Sequence, residues 1–313
     1  MSQRSLVIME LIEFSFQNPP QLNERIVLCL GYFDGVHLGH QAIINSAKKE
    51  GYKVGVLTFD NSPSVVLGKI AFNEAITSPA DKADLLDELG VDYFLLMHFD
   101  IDAAKRTKDE FINIILTSIN PIKIYCGDDY RFGVRGEGNP AYLSNFFTVN
   151  ILPLLMQNGV KISSRGIASS IQTGDMEEAS KMLGRNYRLS GLVMVGKQNG
   201  KALNFPTANL KLDYYYVHPK NGVYIGYAYP HGVKHKCLIN VGTHPTIMPL
   251  LEPIIEVHIL DYDGNLYGLH LFVDFVKFIR SEIRFDNLEE LKLQMKKDLE
   301  KAKKYLLFKN LKS

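Results

Sequence analysis

No apolar run in the sequence is long enough to span a membrane, and the N-terminus lacks the basic-then-apolar pattern of a signal segment. No membrane partner is expected on that basis. A large basic excess is also missing: 35 Lys and Arg stand against 34 Asp and Glu, a formal net charge of +1. That balance argues against nucleic acid as a required partner. Cysteine is scarce. Cys29, Cys126 and Cys237 are far apart and have no C-x-x-C partner. Two of them lie at or near the ends of strand-like runs, which favours buried thiols over disulfides or metal ligands. The expected compartment is the cytoplasm, and nothing in the sequence indicates an oligomer.

What is present points to two cores. A chain of 313 residues, 46% hydrophobic and 22% charged, is too long for one ordinary domain and has apolar material for more than one. The most informative stretch is Gly31 to Gln41, G-Y-F-D-G-V-H-L-G-H-Q. It follows the apolar run Ile26 to Leu30, which suits a buried strand, and it precedes a helical pattern from Ala42. Strand, glycine-rich turn and helix start together form a site for phosphate. Gly31, Gly35 and Gly39 let the backbone approach an anion, and the helix start offers free N–H groups and the positive end of its dipole. His37 and His40 are three apart and face the same way on a first helical turn. Two imidazoles there can donate to oxygens that gain charge during phosphoryl or nucleotidyl transfer.

Further strand-like runs follow at Lys53 to Phe59, Tyr93 to Met97 and Ile122 to Cys126, with an edge strand near Leu6 to Phe14. Helices are expected from Ser78-Pro79 through Asp87, ending at Gly90, and near Asp109 to Thr117. This alternation reads as a parallel, doubly wound α/β sheet, whose ligands bind at the carboxyl ends of the strands. The fourth run leads into Gly127-Asp128-Asp129-Tyr130-Arg131-Phe132-Gly133, whose acids, arginine and aromatics suit a flat ring plus a phosphate. Asp175 with Glu178 three residues on starts a helix that Gly184 ends. Beyond it, short β runs at Leu189–Val195, Gly222–Ala228, Lys236–Val241, Ile254–Leu260 and Leu269–Val276 suggest a small closed β-barrel. A last helix carries Leu288, Leu291, Met295, Leu299, Ala302 and Leu306 at helical spacing, with Asp286 and Asn287 as caps. Its lysines make a solvated face.

H-x-G-H is the signature of the nucleotidylyltransferase superfamily. The longer form here, G-x-F-D-G-x-H-x-G-H, resembles the adenylyltransferase half of the bacterial bifunctional riboflavin kinase/FAD synthetase family. Phe205-Pro206-Thr207-Ala208-Asn209 is similar to the hallmark of the family's riboflavin kinase module. Asn240 to Thr246, Glu256-Val257-His258, Leu266-Tyr267-Gly268 and Arg280 to Phe285 fall in the family's order. Leu183-Gly184-Arg185-Asn186-Tyr187 is similar to the family's domain-joining segment.

The resemblance implies a two-domain fold. Residues 1–184 are expected to form a nucleotidylyltransferase-like (Rossmann-like) α/β domain, and residues 185–313 a small β-barrel riboflavin kinase domain with a terminal helix. It implies ATP-dependent phosphorylation of riboflavin to FMN and adenylylation of FMN to FAD, with Mg²⁺. For the first site it implies that His37 and His40 stabilise charge, while Gly31, Phe33, Asp34, Gly35, Gly39, Asp129, Phe132, Ser163, Ser164 and Arg165 bind ATP. For the second it implies that Glu256 is the general base and that Gly196, Lys201, Pro206 and Thr207 bind phosphate. Asn240, Arg280 and Phe285 are the implied flavin contacts. A threonine hydroxyl and an asparagine carbonyl are hard oxygen ligands, which makes Thr207 and Asn209 the candidates for Mg²⁺.

The chain departs from the family at two loops expected to face the first site. In Ile162-Ser163-Ser164-Arg165-Gly166-Ile167-Ala168, Arg165 replaces a threonine and Ala168 replaces an arginine; at Asp60-Asn61-Ser62-Pro63, Ser62 replaces a histidine. Alanine cannot donate a charge-assisted bond to phosphate, so slower FAD than FMN formation is expected unless Arg165 substitutes. In the second site Lys201 and Asn204 replace an arginine and a glycine. Two alternatives stay open at this point. In one, the protein is a riboflavin kinase with a weak or inactive adenylyltransferase; in the other, the N-terminal domain senses flavin or nucleotide.

Overall fold

The apolar runs form strands whose side chains alternate between two cores. The computed structural model describes residues 9–68, 74–195, 205–243 and 253–310. The chain divides into two compact units, Met1–Ser164 and Arg165–Ser313.

Besides a two-stranded ribbon, β7 (Met156–Gln157) and β8 (Val160–Lys161), the first unit is built on a six-stranded sheet of β1 (Glu10–Phe14), β2 (Val27–Leu30), β3 (Val54–Phe59), β4 (Tyr93–Met97), β5 (Lys123–Gly127) and β6 (Val149–Leu152). Every pairing is parallel and the order is β1-β4-β3-β2-β5-β6. Leu28 and Leu30 enter one core with Leu57, Leu95 and Phe111, whereas Val27 and Cys29 enter the other with Val56, Phe94 and Ile44. That division is what a period of two gives a strand buried on both faces. The chain runs from β2 to β3 and β4 on one side, then returns to β5 and β6 on the other. The reversal leaves a crevice outside the carboxyl ends of β2 and β5. The glycine-rich turn follows β2, and the Gly127 to Phe132 segment follows β5. The edge strand is found at Glu10–Phe14; the expected residues before Met9 lie outside the described ones.

The helix expected after Ser78-Pro79 spans Pro79–Glu88, with a reciprocal capping box between Ser78 and Asp81. One expectation is corrected. Ser164 to Ala168 is not a loop but the start of a helix, Ser164–Thr173, whose Ile167 and Ile171 are fully buried one turn apart.

In the second unit the helix Met176–Leu183 is capped by Asp175, which accepts from the Glu178 amide (3.0 Å), and ends at Gly184 in a left-handed conformation (φ 75°). A closed antiparallel barrel follows, formed by β9 (Tyr187–Met194), β10 (Ala208–Leu212), β11 (Gly222–Ala228), β12 (His235–Thr243), β13 (Pro253–Ile259) and β14 (His270–Arg280). Its order is β10-β13-β12-β11-β14-β9. Ala208–Leu212 corrects the sequence reading, which leaves this segment in a connection; it pairs with both β9 and β13 and closes the barrel. Alternate residues such as Leu189, Leu210, Tyr224, Ile239 and Val257 are buried inside. The opposite set, Val223, Ile225, Tyr227, Leu238 and Val276, packs against Leu299 and Ala302 of the final helix, Leu288–Asn310. All three cysteines are free and buried. Among the described residues, no helix is long and apolar enough to cross a membrane.

Candidate functional site

In the first unit, the residues after β2 adopt a conformation that few side chains favour. Phe33 (φ 52°), Gly35 (φ 76°) and Val36 (φ 39°) lie in the left-handed region. A β-branched residue there is a strained outlier, the kind found where surrounding contacts over-determine a functional turn. Those contacts can be named. Asp34 is 8% exposed, and its Oδ1 accepts from the backbone amides of Ile76 (2.9 Å) and Thr77 (3.2 Å) and from the Thr77 hydroxyl (3.3 Å). Thr77 Oγ1 accepts from the Gly35 amide (2.9 Å), and Gln41 Nε2 donates to the Val36 carbonyl (2.9 Å). The Ser164 hydroxyl donates to the Asp34 carbonyl (2.9 Å), which brings one of the two expected serines to the turn. Burial pushes the Asp34 carboxyl above the usual range, opposed by Lys82 and by the Thr77 and Ile76 amides.

This braced turn delivers the two histidines together. His37 is the N-cap of the helix Leu38–Lys48, and its Nδ1 accepts from the His40 amide (3.3 Å). An accepting Nδ1 places the proton of a neutral His37 on Nε2. The two rings stack with centroids 3.6 Å apart and planes 16° apart, and Phe33 lies 4.8 Å from the His40 ring. A Cβ at Gly39 would sit 3.1 Å from the His37 ring, so a larger residue there would crowd this stacking. The His40 ring is partly exposed, yet its Nδ1 is enclosed and has no hydrogen-bond partner. Burial, then the His37 and Lys82 charges, hold the His40 imidazole well below its ordinary pKa, so it is neutral near pH 7.

The other residues expected near this site are placed differently. Asp129 is exposed and ion-paired with Lys161 (2.7 Å). Phe132 is 5% exposed and packs in the core, its ring 5.3 Å from Phe111 and 5.8 Å from Tyr130. Ser62 is the N-cap of the short helix Pro63–Val66 and accepts from the Ser64 amide (3.3 Å). Arg165 is exposed, in the first turn of the helix Ser164–Thr173, within the second unit.

In the second unit the site is a row across the barrel. The pairing places Asn209 opposite Glu256, Glu256 opposite Asn240, Asn240 opposite Val223, and Val223 opposite Arg280. Residues in register on neighbouring strands share a face. This is the face that Val223 and Leu238 turn toward the final helix, opposite the barrel interior. Asn240 Nδ2 lies 3.4 Å from Glu256 Oε2. A cavity of about 370 Å³ opens over the row, lined by Thr207, Asn240, Glu256, Arg280, Phe285 and, from the final helix, Leu291 and Met295. A second cavity of about 450 Å³ is lined by Pro206, Thr207, Ala208, Tyr262, Asn265 and Tyr267. Thr207 borders both. His258 Nδ1 donates to the Pro206 carbonyl (2.9 Å) and ties this segment to β13.

Among the described residues there is no group of three or more His, Cys, Asp or Glu able to hold a metal. A cation beside Thr207 and Asn209 would rest on these neutral oxygens and on phosphates. Gly196, Lys201, Asn204 and His244 to Thr246 lie outside the described residues. Sequence reasoning missed Asp298, which is 1% exposed on the final helix and holds Arg280 through its Nε and Nη2 (both 2.8 Å). Gln294 Nε2 also donates to Asp298 (2.9 Å), and Arg280 Nη1 donates to the Ser281 carbonyl. Lys82 and Thr77 were missed as well.

A phosphate-type turn on a parallel sheet, joined in one chain to a carboxylate row on a small barrel, defines a two-module nucleotide-dependent transferase. Comparison with known proteins narrows the class. Residues 19–166 match the FAD synthetase family model and residues 183–306 the riboflavin kinase model. The bifunctional riboflavin kinase/FMN adenylyltransferase of Listeria monocytogenes is 35% identical over 281 residues, covering 87% of this chain and 90% of that protein. Its Bacillus subtilis counterpart is 34% identical, covering 90% and 92%. A solved structure described as a macrolide-efflux protein from Streptococcus pneumoniae superposes with a TM-score of 0.86 at 30% identity, covering 95% of this chain and 99% of that one. The chain belongs to the bifunctional riboflavin kinase/FMN adenylyltransferase family.

Proposed function

We propose that the chain phosphorylates riboflavin to FMN with ATP at the barrel and joins AMP from ATP to FMN, giving FAD, at the parallel-sheet unit. The observation that carries this reading is the row Asn209, Glu256 and Asn240, whose Glu256 and Asn240 line a cavity, in the same chain as the stacked His37 and His40. Both family models and the bifunctional relatives favour it over a kinase with an inactive or merely sensing partner module. We place the boundary between the modules near Arg185, close to where the riboflavin kinase match begins.

At the barrel, Glu256 would act as general base on the terminal ribityl hydroxyl of riboflavin. Asn240 holds one carboxylate oxygen, which leaves the other for the substrate proton. As that proton moves to Glu256, the hydroxyl oxygen bonds to the γ-phosphorus of ATP and the bond to ADP breaks. The cavity that includes Phe285, Leu291 and Met295 suits the flat apolar flavin ring. The second cavity suits the nucleotide, and transfer would occur beside Thr207, which borders both. Thr207 and Asn209 would hold Mg²⁺, a source of positive charge for the transferring phosphate. Arg280 is engaged with Asp298, so its contribution to flavin binding lies mainly in shaping that wall.

At the glycine-rich turn, an FMN phosphate oxygen bonds to the α-phosphorus of ATP as the bond to pyrophosphate breaks. No protein nucleophile is required, because the attacking group is already anionic. His37 Nε2–H can donate to phosphate oxygens as they gain charge, and neutral His40 can donate without adding a full charge. Three buried free thiols fit a reducing cytoplasm. Incubation with riboflavin, ATP and Mg²⁺ followed by chromatography tests the proposal. FMN should appear first and FAD after it; riboflavin recovered unchanged would overturn the reading.

A further inference from the structure

Lys82 is a charged group of the first unit that the mechanism above leaves unused. It lies on the helix Pro79–Glu88 and is only 3% exposed. A lysine is seldom buried so fully unless its ammonium is paired. Its Nζ donates to the Tyr32 carbonyl (3.2 Å) and stands 4.5 Å from the centroid of the Tyr32 ring. The same carbonyl accepts from the Thr58 hydroxyl (2.7 Å). Tyr32 is the residue at which β2 gives way to the left-handed turn. The segment entering Lys82's helix grips the turn further along, through the bonds of Ile76 and Thr77 to Asp34 and of Gly35 to Thr77. The stretch from Ile76 to Lys82 therefore holds Tyr32, Asp34 and Gly35 from one side.

We propose that Lys82 is a positioning residue for adenylyl transfer: its buried ammonium fixes the turn from Tyr32 to Val36, so that His37 and His40 face the ATP phosphates. This rests on the function proposed above. Lys82 acts through its neighbours rather than on substrate. Asp34 receives two amides and a hydroxyl, and the Lys82 charge opposes, without cancelling, the burial that raises this carboxyl. Burial pushes Lys82 itself down to about 8, against the pull of Asp34 and of Asp60 at the end of β3. The other titratable groups linked to these are His98, paired with Asp60 (2.6 Å), and His40, whose imidazole the Lys82 charge helps keep neutral. Once Lys82 loses its proton, the turn loses its charge-assisted hold on Tyr32 and the positive charge beside the buried Asp34.

The test follows FAD formation as the report on the turn, FMN formation as the report on the barrel, and the thermal unfolding transition of the first unit as the report on its folding. Wild-type protein is given FMN, ATP and Mg²⁺, or riboflavin, ATP and Mg²⁺, from about pH 6.5 to about pH 9.5. The ratio of the FAD rate to the FMN rate should fall above about pH 8, approaching tenfold per unit for a single deprotonation. Phosphate groups lose their second proton near about pH 6, so substrate ionisation does not supply such a limb. Lys82→Arg keeps its charge throughout and should remove the limb. Lys82→Met should lower FAD formation roughly tenfold or more near neutral pH, as a displaced catalytic group does, with FMN formation within about twofold. A flat wild-type ratio, a limb unchanged in Lys82→Arg, or Lys82→Met at near-normal FAD formation would each overturn the proposal. If a variant lacks the unfolding transition of the first unit it has misfolded, and the wild-type profile decides alone. Wild type that makes FMN but no FAD at any pH would sink the functional reading of this unit, and the role of Lys82 with it.

Discussion

The two sites are built by opposite means. At the barrel, Asn209, Glu256 and Asn240 are aligned by strand register, and the backbone beneath them is ordinary antiparallel ladder. At the glycine-rich turn, His37 and His40 follow a segment with three positive-φ residues, Tyr32 to Val36, that side chains from Thr77, Gln41, Ser164 and Lys82 hold. A register site takes its precision from the pleat and is exposed to whatever loosens the wall around it. A turn site takes its precision from braces, so residues far along the chain decide its geometry. The difference predicts which substitutions harm one product and spare the other.

The largest effect is expected at the clasp that closes the barrel cavity. Asp298→Ala leaves Arg280 in a site where its side chain is 16% exposed, without its partner. Breaking such a buried pair costs about 3–5 kcal/mol. The riboflavin KM should rise and the urea midpoint for loss of FMN formation should fall, while FAD formation from added FMN is unchanged. Replacing both residues by Met should recover much of that stability. An Asp298→Ala protein with unchanged riboflavin KM would show that register alone maintains the barrel site.

A smaller effect is expected at the turn. Gly35 has φ 76°, and a Cβ there would meet Ile76 at 3.1 Å. Gly35→Ala should cost about 1–2 kcal/mol in backbone strain and lower FAD formation about tenfold by displacing His37. FMN formation should hold. Equal loss of both products would break the comparison, because the strain would then not be local.

The smallest effect concerns the ion pair at the ends of β3 and β4. The Asp60 carboxylate, through its hydrogen bond and its charge, raises the His98 pKa above its ordinary value. Any stability from this pair is present below the unfolded-state pKa of histidine and is lost as pH rises through the raised folded value. His98 is more than half exposed, so the contribution is minor. NMR titration should place His98 above its ordinary value in wild type and return it there in Asp60→Asn. A titration unmoved by Asp60→Asn would assign the shift to another group.

These contrasts also explain what was legible in the sequence. The glycine-rich turn could be read because its chemistry is local: three glycines and two histidines within eleven residues, directly after a strand. The barrel strands could be read wherever β-branched and aromatic residues recur. Ala208–Leu212 could not, since Ala-Asn-Leu-Lys-Leu follows a proline and has no β-branched residue; its strand state comes from pairing with β9 and β13. The helix Ser164–Thr173 was hidden by serines and a glycine, weak helix formers, and forms because Ile167 and Ile171 are buried. Phe132 sits among turn residues, yet its burial against Phe111 depends on a helix far away in the chain. Asp298 and Lys82 look like solvated charges in polar helices. Only the tertiary partners, Arg280 and Tyr32, set them apart.

The central claim is that two separate sites carry two successive transfers. The most direct test compares Glu256→Gln with the double variant His37→Ala, His40→Ala, each given riboflavin or FMN with ATP and Mg²⁺. Glu256→Gln should lose about a hundredfold or more of FMN formation, the usual worth of a general base, while making FAD from added FMN at the wild-type rate. The histidine variant should make FMN normally and accumulate it. Persistent FAD formation in the histidine variant, or loss of FAD formation from FMN in Glu256→Gln, would contradict the account.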